Sequence, residues 1–223
     1  MNATDPYAAR LGALDCCAVS DALDKLGLPG CVAGLAPLTV TRRIAGRVRT
    51  VRLVAKGEAP PVEGPPRHLG TTAIERASPG EIVVVEQKSG LDAGSWGGIL
   101  SLGAKLRGIA GVVADGPVRD VDEARDLDFP IYGRRPTART ARNRVVEIGT
   151  DVPVTIGDVT VNAGDYALAD GSAVVFVRAA DMPSLLDAAE AIARREAAMA
   201  AALRAGTPIT EVMGAGYEHL LKK

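Results

Sequence analysis

One stretch constrains this chain more than any other: residues 96–120, WGGILSLGAKLRGIAGVVADGPVRD. Trp96, Ile99, Leu102 and Leu106 recur at three- and four-residue steps, the helical period, and predict a helix whose buried face they form. Gly108 is placed to end it. Residues 109–114 are a short apolar run of the kind a strand covered on both faces requires. Upstream, residues 81–85 (EIVVV) read as a second strand of that kind. Strand, helix and strand in that order predict a parallel βαβ unit with a right-handed crossover.

In such units ligands collect beyond the carboxyl ends of the strands. That edge would carry a helix N-terminus at Ser95, Trp96, Gly97 and Gly98, whose free N–H groups favour an anion. It would also carry a turn over residues 115–120, which supplies the Arg119 guanidinium and the Asp120 carboxylate. Two readings follow. In one, Arg119 and Asp120 are an ion pair with a helix cap and the glycine pair is a turn. In the other, bare amides, an arginine and a hard oxygen ligand hold a small carboxylate together with a divalent cation.

The block Gly97-Gly98, Ala104-Lys105, Arg107-Gly108, Gly111-Val112-Val113, Asp115-Gly116 and Val118-Arg119-Asp120 resembles the RraA-like family. That family includes 4-hydroxy-4-methyl-2-oxoglutarate aldolases, oxaloacetate decarboxylases and regulators of ribonuclease E. Residues 18–23 (AVSDAL), 79–85 (PGEIVVV) and 161–165 (VNAGD) follow in the family's order, so the likeness spans about residues 15–215. It implies an α/β fold of the swivelling β/β/α type, with a central mixed sheet, an antiparallel meander and a long C-terminal helix. It implies one domain over residues 1–223, with a core at about 15–180 and a helical extension at 181–223 that serves subunit contacts. The implied activity is that of a divalent-metal-dependent lyase cleaving a C–C bond of a small 2-oxo acid through a pyruvate enolate. Asp120 would hold Mg²⁺ or Mn²⁺, Arg119 would contact the keto or carboxylate oxygen, and the amides around Gly97, Gly98, Ile99 and Leu100 would receive the carboxylate. Family members are homotrimers or hexamers in which a neighbour's C-terminal glutamate reaches the metal waters, which makes Glu196 a candidate.

One position departs from the family pattern. Active aldolases carry an acidic residue separated from the Arg-Asp pair by twenty residues, and here that position is Gly98. Glu86, Asp92 and Asp115 are possible substitutes, none of them indicated by spacing. Two alternatives therefore stand beside the lyase: a non-catalytic regulator that binds a protein partner, and a redeployed enzyme with a different substrate.

A net charge of −1 and an aromatic fraction of 3% argue against nucleic-acid or membrane partners. No run reaches spanning length, no leader is visible at the start, and Cys16, Cys17 and Cys31 read as reduced thiols, so a cytoplasmic protein is expected. Residues 14–26 predict a helix ended by Gly27, burying Cys17, Leu23 and Leu26, with Ser20 and Asp21 near its start or in the site. Residues 42–54 predict a strand with a basic solvent face, and residues 59–66 (APPVEGPP) a loop followed by a surface His68. With His219 as the one other histidine, no histidine metal cluster can be built. Residues 71–77 and 122–127 predict short helices and 129–132 a strand. The arginine-rich residues 133–144 predict a loop that is either solvated or a lid or subunit contact. Residues 145–177 read as an antiparallel meander. Asp181 would cap a last helix bearing Leu185, Ala189, Ile192, Met199 and Leu203, with Glu196 on the same stripe.

Overall fold

The computed structural model describes residues 5–60 and 68–214. Most of the proline-rich stretch, and His219, lie outside the described residues. The elements run, in chain order, α1 (Pro6–Gly12), α2 (Cys16–Leu26), β1 (Cys31–Val32), β2 (Ala36–Pro37), β3 (Ile44–Ala55), α3 (Thr71–Arg76), β4 (Ile82–Gln87), α4 (Gly98–Leu106), β5 (Gly111–Val118), α5 (Val121–Asp126), β6 (Ile131–Pro136), β7 (Val145–Thr150), β8 (Val154–Ile156), β9 (Val159–Val161), β10 (Tyr166–Ala169), β11 (Val174–Val177), α6 (Met182–Arg204) and α7 (Ile209–Val212).

The main sheet has the order β1-β11-β10-β3-β4-β5-β6-β2, with β7 paired to the second half of β3. Strands β3 to β6 are parallel, and β10, β11, β1 and β2 join antiparallel. The two ends, β1 and β2, come from one short segment, residues 31–37, so the sheet curls round until its ends nearly meet. Alternation along β4 shows how the sequence enforces this. Ile82 and Val84 point into the concave side with Val48, Val113, Tyr132 and Phe176, while Val83 and Val85 point outward under α3, α4 and α5. All six residues of β4 are buried, as a strand covered on both faces must be. The β8–β9 hairpin is a separate two-stranded sheet, and its Val154, Ile156 and Val161 complete the concave core. On the remaining convex side α1, α2 and α6 cover β10 and β11 through Leu11, Val19, Leu23, Leu168 and Leu185.

The βαβ unit, the two short helices and the final long helix stand where the sequence puts them. The phase of two helices differs. In α4 the buried positions are Leu100, Ser101 and Ala104, whereas Ile99 and Leu106 are 82% and 79% exposed and Leu102 is also at the surface. Trp96 precedes the helix, and its Nε1 donates to Ser101 Oγ at 3.1 Å, which turns the Ser101 face inward. In α2 the buried set is Cys16, Ala18, Val19, Ala22 and Leu23, with Cys17 and Leu26 exposed. The Asp15 carboxylate accepts from Ala18 N at 2.8 Å and starts α2, which leaves Ser20 and Asp21 in mid-helix.

Further expectations need correction. Residues 115–118 continue β5 instead of turning, because β6 pairs with them as far as Val118. The expected meander is three separate antiparallel pieces: β7 on β3, the β8–β9 hairpin, and β10–β11. The Asp181 carboxylate accepts from Arg178 Nε at 2.6 Å and caps no amide of α6. Two arginines of β3 are half-buried and paired rather than solvated, Arg47 with Asp5 and Arg49 with Glu81 and Asp151, while Arg52 is exposed as expected and faces Glu86 at 3.7 Å.

Candidate active site

The carboxyl end of β5 organises the site. Ser95 donates to the Pro117 carbonyl through both its N–H, at 2.8 Å, and its Oγ, at 2.7 Å, and Arg119 N–H donates to Trp96 O at 3.0 Å. These bonds lay residues 95–96 along the last residues of β5 and bring Gly97 and Gly98 over the Arg119-Asp120 pair. Asp120 has φ 58° and ψ 40°, the left-handed conformation that Asp tolerates better than most residues. This turns the chain sharply into α5. The Asp120 Oδ2 accepts from Gly98 N at 3.0 Å and from Arg119 Nε at 3.1 Å. Gly98's amide is therefore engaged within the protein, while the N–H groups of Ile99 and Leu100, in the first turn of α4, have no partner among the described residues.

Arg119 and Asp120 are both part-exposed and open onto a cavity of about 230 Å³. His68, Leu69, Trp96, Leu100, Thr140 and Ala141 also line it. A larger, shallower depression lies at the opposite end of β3 and β5, among Arg42, Lys105 and Phe129. Its Arg42 and Lys105 already pair with Asp128, and it holds none of the residues described above.

The three carboxylates considered as replacements at Gly98 are occupied elsewhere. Glu86 accepts from Thr155 N at 2.6 Å and faces Arg52 at 3.7 Å. Asp115, 5% exposed, accepts from Arg134 Nε and from Gly157 N, both at 2.7 Å. Asp92 binds Arg135 at 2.8 Å and Arg139 at 3.2 Å, and a Thr137 hydrogen bond with these arginines holds its carboxyl below the usual range.

A fourth carboxylate fills the gap. A Cβ built on Gly98 would stand 1.8 Å from Glu123 Oε2 and 3.2 Å from Asp120 Cβ. Glu123, in the first turn of α5, thus places its carboxylate in the space that a side chain at position 98 would take. The sequence reading missed it. The available signal was Arg119-Asp120-x-x-Glu123, in which a left-handed Asp120 folds the next helical turn back over Gly98.

His68, read as a surface residue, lies on the cavity rim, and its Nδ1 is 3.1 Å from Leu69 O. Arg139 O accepts from Gly94 N at 2.9 Å, which ties the arginine-rich loop to the site. Glu196 is exposed on α6, a helix of the β10–β11 side, and is not among this chain's cavity residues. Among the described residues no three His, Cys, Asp or Glu side chains converge as a cation cage. Two neighbouring carboxylates, Asp120 and Glu123, are nonetheless a donor set that suits a hard divalent ion keeping most of its waters.

Known proteins share this chain's sequence pattern and fold. DlpA of Legionella pneumophila is 25% identical over 193 residues, which are 86% of this chain and 31% of DlpA, so the chain spans about a third of that relative. A 4-hydroxy-4-methyl-2-oxoglutarate aldolase of Thermus thermophilus is 31% identical over 129 residues, covering 57% of this chain and 71% of that protein. An uncharacterised protein of Pseudomonas syringae superposes with a TM-score of 0.82 at 26% identity, over 96% of this chain and all of the other. No described helix is long and apolar enough to cross a membrane. The RraA-like family model, described as aldolase/RraA, matches residues 16–176, and the chain belongs to that family.

Proposed function

We propose that this protein is a divalent-metal-dependent lyase that cleaves a C–C bond of a 2-oxo acid to release pyruvate, as 4-hydroxy-4-methyl-2-oxoglutarate aldolases and oxaloacetate decarboxylases do. The observation that carries the reading is the Glu123 carboxylate in the place of the acidic residue missing at Gly98. It answers the main objection to an active enzyme. Asp120 and Glu123 would hold Mg²⁺ or Mn²⁺, which supplies a Lewis acid for the 2-oxo group.

The substrate carboxylate takes the free amides of Ile99 and Leu100 at the start of α4, where the helix dipole favours negative charge. Among the described residues neither Nη of Arg119 has a partner, so it can donate to the oxygen on which charge grows as the bond breaks. In a retro-aldol step Glu123, directly or through a water, accepts the C4 hydroxyl proton. The C3–C4 electron pair becomes the enolate of pyruvate, and a proton then returns to C3. In decarboxylation the same bond releases CO₂ and no hydroxyl proton is removed. The exposed Ile99 and Leu106 face of α4 supports the trimer or hexamer, and Glu196 would reach a site only on a neighbouring copy.

The test is pyruvate release from oxaloacetate and from 4-hydroxy-4-methyl-2-oxoglutarate, with Mn²⁺ or with chelator, beside an Asp120→Asn control. Metal-dependent release that the control lacks supports the lyase. Release no faster than the metal ion alone rejects both reactions and leaves a regulator that binds a protein partner or a redeployed enzyme with a different substrate.

A further inference from the structure

Resting on that lyase reading, we propose that His68 is the proton donor to C3 of the pyruvate enolate, a role that no group described above fills. The cavity of about 230 Å³ is smaller than the roughly 300–1,000 Å³ of drug-sized pockets, so a ligand as small as pyruvate meets several of its walls at once. Among the described side chains on those walls, the imidazole is the one that both gives and takes a proton in neutral water. Arg119 keeps its protons, Asp120 accepts from Gly98 N and Arg119 Nε, and Thr140 offers a neutral hydroxyl.

The hydrogen bond of the ring fixes which nitrogen acts. A carbonyl oxygen only accepts, so the contact of Nδ1 with Leu69 O at 3.1 Å places a hydrogen on Nδ1. Nε2 has no partner among the described residues and is left as the base of the neutral ring and a donor in the imidazolium. The corner that carries the ring is held from both sides. The His68 carbonyl accepts from Thr71 Oγ1 at 2.7 Å, and Gly70 N donates to Glu147 Oε2 at 2.7 Å. Gly70 has φ 77°, and a Cβ on it would stand 3.0 Å from the Trp96 ring, so the corner is seated against another wall of the cavity. In the step itself the imidazolium Nε2–H bond breaks and its proton goes to C3. The C2–C3 double-bond pair of the enolate forms the new C–H bond and the C2 carbonyl is restored. His68 is exposed, so the neutral ring regains its proton from water.

Exchange of the pyruvate methyl hydrogens in D₂O runs this transfer in both directions without breaking a C–C bond. It is followed by proton NMR with the Mg²⁺-loaded full chain. His68→Gln and His68→Ala should slow exchange about hundredfold and leave the oxalate dissociation constant within about threefold of the parent. Variants that exchange as fast as the parent overturn the inference. So does a loss of exchange matched by an equal loss of oxalate binding, because the ring then only props the cavity. A parent that cleaves 2-oxo acids without exchanging the methyl hydrogens overturns the inference and leaves the lyase standing, and a parent that does neither overturns both. A parent whose exchange depends on His68 but which cleaves neither oxaloacetate nor 4-hydroxy-4-methyl-2-oxoglutarate supports the inference and removes the lyase reading alone.

Discussion

Glu123→Gln tests the central assignment with a change of charge and almost none of shape. Glu123 Oε2 and Asp120 Cβ lie 1.8 and 3.2 Å from the same point beside Gly98, so the oxygen is within about 5 Å of that Cβ. Two negative charges that close repel by about 1 kcal/mol even at water-like screening. A divalent cation between them reverses the sign. Each carboxylate at about 4 Å then contributes about 2 kcal/mol at the same screening, so removing one charge should weaken Mn²⁺ binding about thirtyfold. Calorimetric titration of the full chain measures this directly. Asp122→Asn is the matched control, because Asp122 is exposed and paired with Arg125 at 2.5 Å; its affinity should stay within about twofold of the parent. Gly98→Asp combined with Glu123→Ala should recover most of the lost affinity by returning a carboxylate to the same space. Glu123→Gln binding Mn²⁺ as tightly as the parent, or Asp122→Asn falling equally far, refutes the assignment.

Asp115→Ala should do the opposite, costing stability and sparing the site. It strips a buried acceptor from Arg134 and from the Gly157 amide, which joins the β8–β9 hairpin to β5, and Arg134 is exposed enough for water to replace part of the loss. A lower urea midpoint corresponding to about 2–3 kcal/mol is expected, with Mn²⁺ affinity unchanged. Acid should loosen the amino-terminal part first. Burial alone would raise Asp170, but the amides of Cys16 and Ser172 outweigh it and hold its carboxyl below the usual range. Burial likewise opposes Asp5, which Tyr166, the Ala8 amide and Arg47 hold down. Because both folded values are depressed, their stabilisation is complete above the unfolded carboxylate value of about 4 and is lost as pH falls through the lower folded values. Thermal midpoints should drop over that window, and by less in an Asp170→Asn variant.

The βαβ unit could be read because residues 82–85 and 112–114 are apolar without interruption, a pattern that suits a strand enclosed on both faces. Arg119 and Asp120 could be read from their motif. The phase of α4 could not, since Trp96 shares the helical spacing without belonging to the helix, and its indole bond to Ser101 decides the buried face. Residues 115–118 read as a turn because glycine and proline dominate them, yet their pairing with β6, a contact distant along the chain, keeps them extended. Glu123 was hidden for a related reason. Its nearness to Gly98 depends on the backbone sign at Asp120, which no spacing rule reports.

That backbone sign restricts how position 120 can drift over generations. A residue there must accept a left-handed conformation, which narrows the tolerated set to Asp, Asn and Gly before any chemistry is considered. Only Asp among these carries charge. A lineage that abandoned the cation would thus be expected to show Asn or Gly at 120 with its fold intact, whereas Ala or Val would record damage to the backbone as well. The residue at this one position therefore separates loss of chemistry from loss of structure when relatives of this chain are read.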